Sequence, residues 1–194
     1  FDAAALNDLF AQVTLRPRVA KTMTDKVAKP PSWSRYRANF VNPWRIDRGV
    51  SFWNENEAAL TRARQVYGVP EEVIVAIIGV ETRYGTYPLS HPVLDTLATL
   101  AFDYPRRAEF FRGELEQYLL LMREEGKDPL SVRGSFAGAM GIPQFMPSSY
   151  RTYAVDFDGD GQRDLWRNST DAIGSVANYL KAYGWEANLP VAMR

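Results

Sequence analysis

The sequence predicts a mainly helical fold of the α+β class, with little β-strand. Apolar residues recur at helical spacing in several segments of the 194-residue chain, and most of these segments end at a glycine. Two of the apolar stripes are long enough to form faces of a helical core. Because 46% of the residues are hydrophobic and 13% are aromatic, the composition is that of an ordinary globular protein.

The first part of the chain predicts two helices separated by an extended connection. Ala, Leu and Phe recur at helical spacing over residues 2–13. A proline-containing stretch, residues 16–31, predicts an extended connector because proline interrupts regular structure. A second helix is predicted over residues 54–67, where Gly68 follows as a natural stop.

The rest of the chain predicts four more helices. They cover residues 70–84, 93–102, 105–125 and 172–183. Pro70 suits a first helical turn, since proline lacks only an N–H that this turn leaves unpaired. Two helices supply the predicted core stripes, formed by Leu94, Leu97, Ala98 and Ala101, and by Phe110, Phe111, Leu115, Tyr118, Leu119 and Met122.

Charge and composition exclude several classes of function. Lys plus Arg and Asp plus Glu both number 23, so no net field draws the chain to nucleic acid or to an anionic membrane. The longest apolar stretch, Val73–Val80, is far shorter than the roughly 18 residues of a membrane span. The absence of cysteine excludes disulfides, thiolate ligands and a cysteine nucleophile. His91, beside Pro92, is predicted to be a loop residue, and since no second His or Cys accompanies it, a zinc site is not expected.

Glu81 is the strongest candidate for a catalytic residue. Ile74, Ile77 and Ile78 precede it by seven, four and three positions, which predicts that its carboxyl lies on the apolar face of its helix. Loss of water and the negative end of the helix dipole would both raise its pKa. A carboxylic acid that stays protonated near neutral pH can act as a general acid. The structural alternative is that Glu81 pairs with Arg83 or another Arg and merely ends the helix.

Residues 33–45 mix aromatic and cationic side chains. The members are Trp33, Tyr36, Phe40 and Trp44, interleaved with Arg35, Arg37 and Arg45. One interpretation is a packed surface flap, because aromatic residues bury large areas. The other is a wall on which pyranose rings stack.

Residues 134–150, with the sequence GSFAGAMGIPQFMPSSY, combine close-set glycines with two polar side chains among apolar ones. Glycine lets the backbone approach a neighbour closely. Ser135 and Gln144 need hydrogen-bond partners if they are buried, and the acetamido group of a sugar offers such partners. The alternative is a tight turn that fills space between helices.

A third feature, the acidic segment DFDGDGQRDLWRNSTD of residues 156–171, matches the first half of an EF-hand calcium loop. Acids stand at alternate positions and a glycine stands sixth, where the loop turns sharply. Arg167 occupies the twelfth position, which normally carries a bidentate Glu, so Asp171 is expected to close a longer loop. The alternative is an acidic turn neutralised by Arg167. The candidate ligands are Asp156, Asp158, Asp160, Gln162 and Asp171, with Asp164 as a direct or water-mediated contact.

Five motifs in order resemble a known family. They are GVETRYG around Glu81, YPRRAEF at 104–110, the glycine-rich stretch, DFDGDG and DAIGSVANYL. Together, from Trp33 to Trp185, they resemble the lytic transglycosylases of the membrane-bound type B group, bacterial enzymes that cleave peptidoglycan. The resemblance implies a lysozyme-like helical core, an N-terminal helical lobe and a small EF-hand-containing insertion.

The resemblance also implies roles for single residues. Glu81 would be the only catalytic acid, and the reaction would need no cofactor. Substrate contacts are expected from Ser135, Gln144, Phe145, Met146, Arg106, Arg107, Tyr36 and Tyr179. The aspartate loop would hold a structural Ca²⁺ or Na⁺. Phe110 stands where members of the family often carry Tyr.

The implied reaction is a lyase cleavage of glycan strands. Glu81 would protonate the oxygen between N-acetylmuramic acid and N-acetylglucosamine, then take the proton of the muramic 6-hydroxyl and leave a 1,6-anhydromuramic end. Most glycosidases instead use two carboxylates. The other nearby acids are predicted to be solvated or capping, namely Asp95, Asp103, Glu109 and Glu114. A hydrolytic muramidase and a noncatalytic, calcium-dependent wall-binding module remain alternatives.

The expected organisation and location follow from the resemblance. Residues 1–66 would form the N-terminal helical lobe, 67–150 the lysozyme-like core, 151–171 the insertion with the metal loop, and 172–194 a core helix after which the family domain continues. The chain opens without a leader, as a processed product would. Peptidoglycan strands and other cell-wall enzymes are the expected partners, with no nucleic acid and no transmembrane segment. The expected location is the periplasm, as a soluble form or a fragment of an outer-membrane lipoprotein.

Overall fold

The computed structural model describes residues 1–24, 31–187 and 189, and in this part of the chain the fold is mainly helical. This confirms the predicted fold class. The helices are α1 (Ala3–Phe10), α2 (Pro17–Thr24), α3 (Trp33–Phe40), α4 (Pro43–Glu55), α5 (Glu57–Tyr67), α6 (Glu71–Thr82), α7 (Val93–Asp103), α8 (Ala108–Glu124), α9 (Pro147–Tyr153) and α10 (Ser169–Ala182). A 3₁₀ turn covers Pro105–Arg107.

A short antiparallel sheet pairs β1 (His91–Pro92) with β2 (Arg133–Gly134). His91 pairs with Gly134, so the prediction that His91 is a loop residue is wrong: backbone pairing places it in a strand. None of the helices in the described ranges is long and apolar enough to cross a membrane.

The chain divides into two compact units. The first unit comprises Phe1–Ala28, Leu89–Met140 and Phe145–Arg151. The second unit comprises Lys29–Pro88, Gly141–Gln144 and Thr152–Arg194. The four-part division into lobe, core, insertion and final helix stays a prediction.

The first unit is built around α7, whose residues from Val93 to Ala101 are all buried. Helix α7 packs on α8 and α2. The predicted stripe on α7 is confirmed, since none of its four members is more than 2% exposed. On α8 the stripe is confirmed except for Phe110, which is 39% exposed at the start of the helix.

Residues 17–24 form helix α2, so the predicted extended connector is wrong in this part, and residues 25–30 lie outside the described residues. The reason is that Pro17 occupies the first position of the helix, where proline is tolerated, instead of interrupting structure. Val19 is buried, and packing of α2 on α7 compensates the cost of forming so short a helix.

The second unit has its own apolar core, to which α5, α6 and α10 contribute. Leu60, Ile74, Ile78 and Ile173 are fully buried there. The aromatic segment of residues 33–45 folds into α3 and the start of α4, which the sequence did not predict as helices. Asn42 caps α4 by accepting a hydrogen bond from the Arg45 N–H at 3.1 Å, followed by Pro43 at the first helical position.

Two buried threonines on α7 differ in how well they are paired. The Thr99 hydroxyl donates to the Asp95 carbonyl at 2.7 Å and accepts the Arg16 N–H at 2.8 Å. The Thr96 hydroxyl, also fully buried, has no hydrogen-bond partner among the described residues. An unpaired buried hydroxyl lowers stability, whereas a paired one contributes to it.

We therefore expect Thr96→Val and Thr99→Val to change stability in opposite directions. Valine keeps the shape of threonine, so Thr96→Val should raise the free energy of unfolding by about 1 kcal/mol, because it removes an unpaired hydroxyl. Thr99→Val should lower it by about 1–3 kcal/mol, because it leaves the Arg16 N–H without its acceptor. Urea unfolding of both variants checks this. Equal losses of stability would contradict it.

Candidate functional site

The candidate acid Glu81 lies in the last turn of α6. The isoleucines that precede it behave as predicted, since Ile74 and Ile78 are fully buried and Ile77 is half-buried. Glu81 itself is exposed, so the expectation that it is buried with them is wrong. The inward position of this turn is taken by Thr82, which is 2% exposed.

Burial still raises the pKa of the Glu81 carboxyl above its ordinary value. An exposed carboxyl can still be partly desolvated, because a side chain can touch water on one side while protein fills much of the volume around it. The raised pKa is therefore compatible with an exposed carboxyl, and we expect the rise to be smaller than in a fully enclosed site.

No ion pair neutralises Glu81 among the described residues, and its side chain has no hydrogen-bond partner there. The guanidinium of Arg83 instead lies over the ring of Tyr87, at 5.4 Å from its centroid. The structural alternative, in which Glu81 pairs with Arg83, is therefore wrong. A carboxyl that is open to solvent and has no partner within the described ranges is available to a ligand.

The chain leaves α6 through two consecutive non-glycine residues in the left-handed region, Arg83 at φ 53° and Tyr84 at φ 61°. Such residues cost about 1 kcal/mol or more each and persist where the surroundings enforce them. Tyr84 is enforced by its side chain, whose hydroxyl donates to the Arg45 carbonyl at 3.0 Å. The ring contacts Phe52, with 5.6 Å between centroids.

Two glycines make room for this ring. A Cβ added at Gly49 of α4 would lie 2.6 Å from the Tyr84 hydroxyl, and one added at Gly79 of α6 would lie 2.7 Å from it. The Arg45 guanidinium also donates to the Gly79 carbonyl. The end of α6 is thus held against α4 by Tyr84 and Arg45, a structural role that the sequence did not predict for either residue.

Thr82 joins the same turn to residues 141–144. Its hydroxyl donates to the Ile142 carbonyl at 2.7 Å and accepts the Gly85 N–H at 3.1 Å. Gln144 follows in the left-handed region, at φ 54°, and its amide donates to the Gly141 carbonyl at 2.9 Å. Within the second unit the structure therefore brings the backbone beside Glu81 together with the segment that carries Gln144.

The predicted aromatic walls both lie in the second unit. Tyr36 of α3 is 48% exposed and stacks on Trp33, with ring centroids 5.9 Å apart. Tyr179 of α10 is half-buried and contacts the rings of Tyr153 at 5.2 Å and Tyr183 at 4.5 Å. Both present aromatic surface of the kind on which sugar rings stack.

The other predicted contacts lie in the first unit. The Ser135 oxygen accepts two backbone N–H groups, from Ala137 at 3.2 Å and Ala139 at 3.1 Å, which leaves its hydroxyl proton to donate. Phe145 is 7% exposed and Met146 is half-buried, so Phe145 has little side-chain area open to a ligand.

Two exposed arginines, Arg106 and Arg107, occupy the 3₁₀ turn before α8. The Arg107 guanidinium lies over the ring of Phe110, at 4.0 Å from its centroid. Phe110 therefore orients Arg107 by a cation–π contact, while lacking the hydroxyl that a Tyr would place there.

Two acids predicted to be solvated or capping are in fact buried in the first unit. Asp95 is 7% exposed and forms an ion pair with Arg16 at 2.8 Å, so the prediction for it is wrong. Glu114 is 5% exposed and accepts the Ser148 N–H at 2.9 Å, so it caps the first turn of α9 while buried. Both carboxylates are already occupied by protein donors. Asp103 and Glu109 are exposed, as expected.

The acidic loop brings together three of the aspartates predicted as metal ligands. Carboxylate oxygens of Asp156, Asp158 and Asp160 lie within 4.8 Å of one another. Backbone N–H groups stabilise this arrangement, for example from Gly161 to Asp156 at 2.8 Å. A hydrogen bond from the Asn168 amide, at 2.6 Å, lowers the pKa of Asp158 and keeps it ionised. Oxygen-only donors of this kind suit a hard cation such as Ca²⁺.

Asp171, the fifth predicted ligand, is fully buried at the start of α10. Its two oxygens accept the N–H groups of Phe157 at 2.7 Å and Asp164 at 2.8 Å, so they close the loop onto the helix. Burial raises the pKa of Asp171, and these hydrogen bonds offset only part of that rise. Asn168 caps the same helix and was missed by sequence reasoning, although Asn before Ser-Thr-Asp is a helix-start signal.

The chain belongs to the family with the transglycosylase SLT domain, whose model matches residues 1–194. It is 54% identical over 202 residues to the membrane-bound lytic murein transglycosylase B of Escherichia coli (strain K12). The alignment covers 100% of this chain and 56% of that protein, so the chain spans little more than half the length of this relative. The predicted family is confirmed.

Solved structures of relatives share the fold, and these are lysozyme-like lytic transglycosylases. The soluble lytic transglycosylase SltB1 of Pseudomonas aeruginosa is 52% identical with a TM-score of 0.95, over 98% of this chain and 64% of that one. Slt35 of Escherichia coli in complex with calcium is 54% identical with a TM-score of 0.91, over 97% and 60%. SltB3 of Pseudomonas aeruginosa in complex with NAG-NAM-pentapeptide is 36% identical with a TM-score of 0.89, over 97% and 50%.

We expect Gly79→Ala to destabilise the protein, although alanine is more favourable than glycine in a helix by about 1 kcal/mol. The new Cβ would lie 2.7 Å from two atoms of the Tyr84 side chain, and overpacking of this kind costs about 1–3 kcal/mol. Gly113→Ala in α8 is the matched control, because no atom lies within 4 Å of its added Cβ. It should stabilise by about 0.5–1 kcal/mol. Thermal unfolding of both variants checks the prediction, and a Gly79→Ala protein at least as stable as the unaltered one would contradict it.

Proposed function

We propose that this chain carries the catalytic centre of a lytic transglycosylase that cleaves peptidoglycan, with Glu81 as the single general acid and base. The observation that carries the proposal is the state of the Glu81 carboxyl, which has a raised pKa and no partner among the described residues. The chain that carries it belongs to a transglycosylase family. The Escherichia coli relative is a lytic murein transglycosylase, and SltB3 was solved in complex with NAG-NAM-pentapeptide.

The chemistry requires a carboxyl that changes protonation state. In its acid form Glu81 would donate a proton to the oxygen between N-acetylmuramic acid and N-acetylglucosamine. The resulting carboxylate would then accept the proton of the muramic 6-hydroxyl as that oxygen bonds to C1. The glycan would end in 1,6-anhydromuramic acid, and Glu81 would be protonated again. A raised pKa supports both steps, since it keeps the acid form populated and makes the carboxylate a better base.

The second-carboxylate mechanism has less support. Inverting and retaining hydrolases need a second acid beside the bond. In the described part of the first unit, Arg16 forms an ion pair with the buried Asp95, and Ser148 donates hydrogen bonds to the buried Glu114. A hydrolytic muramidase is therefore the weaker proposal, and a noncatalytic wall-binding module leaves the raised pKa of Glu81 without a role.

Substrate contacts are proposed from residues that carry hydrogen-bonding groups or aromatic rings. Ser135 and Gln144 would bond sugar acetamido groups, and Met146 with the small open part of Phe145 would line the site. Arg106 and Arg107 would pair with lactyl or peptide carboxylates, for which guanidinium forks are suited. Tyr36 and Tyr179 would stack on sugar rings.

A metal ion in the acidic loop would be structural. Asp156, Asp158 and Asp160 would bind Ca²⁺ through their carboxylates, Gln162 through its backbone carbonyl, and Asp171 from the start of α10. The calcium complex of Slt35 supports this assignment, and Na⁺ is the weaker alternative. The ion would offset the repulsion between three acids, and no catalytic step involves it. The proposed location is the periplasm, where peptidoglycan lies.

We expect Glu81→Gln to abolish glycan cleavage without loss of stability. Glutamine keeps the shape of the side chain but cannot donate and recover a proton, so turnover should fall by about 10²–10⁴-fold or more. Purified sacculi are digested with each protein, and the released muropeptides are analysed by mass spectrometry. The unaltered protein should release anhydro products, lighter by one water than the reducing products of a hydrolase.

The outcomes separate the candidate functions. Reducing ends would show a hydrolase, and glycan binding without cleavage by the unaltered protein would show a binding module.

The cleavage rate should depend on pH with a defined sign. Because the acid form of Glu81 starts the reaction and its pKa is raised, the rate should stay constant below that pKa and fall as pH rises through it. A rate that already falls near the ordinary pKa of a glutamate would contradict a raised pKa.

We expect Ca²⁺ to raise the melting temperature of the protein. At a concentration of about 100 times Kd, binding contributes about 2.7 kcal/mol, which corresponds to a rise of about 5–10 °C. Asp158→Asn should reduce this rise, and Asp8→Asn, which changes an exposed acid on α1, should not. Calorimetry with Ca²⁺ and then with excess chelator checks this. An equal rise in both variants would sink the proposed loop site.

A further inference from the structure

We propose that Thr82 is a positioning residue that holds Glu81 and Gln144 in a fixed mutual register. This inference rests on the proposed function of Glu81. Thr82 is 2% exposed and lies next to Glu81 in the last turn of α6. It touches no reacting atom in this scheme, and it acts through the backbone on either side.

The Thr82 hydroxyl bonds two separate segments at once. It donates to the Ile142 carbonyl at 2.7 Å and accepts the Gly85 N–H at 3.1 Å. The first bond joins the end of α6 to residues 141–144, and the second closes the turn that follows α6. A single hydroxyl therefore sets both the exit of the helix and its distance from the segment that carries Gln144.

Glu81 depends on this arrangement because its own side chain has no partner among the described residues. A free carboxyl is oriented only by the backbone that carries it. That backbone leads into Arg83 and Tyr84, two non-glycine residues in the left-handed region. Strained residues of this kind persist where neighbouring contacts over-determine them, and Thr82 supplies such a contact at the start of the turn.

Gln144 is held in a similar way. It is also a non-glycine residue in the left-handed region, and its amide bonds the Gly141 carbonyl. The segment is anchored on one side by the Ile142 N–H, which donates to the Leu165 carbonyl at 2.7 Å. On the other side it is anchored by Thr82. Loss of the Thr82 bond would free one of these two anchors.

Three variants test the role of the hydroxyl. Thr82→Val keeps the shape and removes both hydrogen bonds, whereas Thr82→Ser keeps the hydroxyl. Thr99→Val is the matched control, because Thr99 is also fully buried, donates to a backbone carbonyl at 2.7 Å and accepts a backbone N–H at 2.8 Å. Thr99 lies on α7 in the first unit, whereas Glu81 and Gln144 belong to the second.

We expect Thr82→Val to lower kcat by about 10²-fold, the loss typical of a catalytic group displaced by about 1 Å. KM should change much less than kcat, Thr82→Ser should restore most of the rate, and Thr99→Val should lose stability without losing kcat. Unaltered kcat in Thr82→Val, or an equal loss in Thr99→Val, overturns the proposal. Thr82→Ala replaces Thr82→Val if the latter does not fold.

A second measurement separates this inference from the proposed function. The titration of the Glu81 carboxyl is followed by NMR in the unaltered protein and in each variant. In Thr82→Val the midpoint should fall toward the ordinary value as the carboxyl gains water, and in Thr99→Val it should not move. If the unaltered protein cleaves no glycan, the proposed function fails. The titration then still decides whether Thr82 positions Glu81, since an unchanged midpoint in Thr82→Val overturns the positioning role of Thr82.

Discussion

Burial of one face of α6 is the constraint on which the candidate site depends. Ile74 and Ile78 are fully buried in the core of the second unit, and this burial sets the rotation of the helix about its axis. The core face ends at Thr82, one residue after Glu81. Glu81 is therefore carried to the edge of the core, where its carboxyl is partly desolvated and still open to a ligand.

The end of α6 is held by polar contacts rather than by further apolar packing. Tyr84 and Arg45 attach it to α4, and Thr82 attaches it to Ile142. These bonds enforce a backbone conformation that Arg83 and Tyr84 would not adopt alone. A rigid turn of this kind is useful beside a residue that must donate and recover the same proton, because a displacement of about 1 Å lowers the rate substantially.

The acidic loop follows a different principle. Asp156, Asp158 and Asp160 repel one another, and backbone N–H groups compensate for part of that repulsion. Asn168 links the loop to the start of α10, since its amide bonds Asp158 while its oxygen caps the helix. The loop is thus part of the scaffold of α10, which packs on α5 and α6, and a cation there would stabilise the unit that carries Glu81.

The sequence by itself determined the helices with regular apolar spacing, the family, and Glu81 as the candidate acid, because these depend on local periodicity and on motifs contiguous in the chain. It misread residues 17–24, where Pro17 begins a helix, and it missed α3. Only the tertiary structure decided that Glu81 is exposed, that Asp95 is buried in an ion pair, and that Thr82 bonds Ile142. The reason is physical: the bonds of Asp95 and Thr82 join residues about 60 to 80 positions apart, and no local pattern encodes such pairings. The exposure of Glu81 depends in turn on which segments pack around the end of α6.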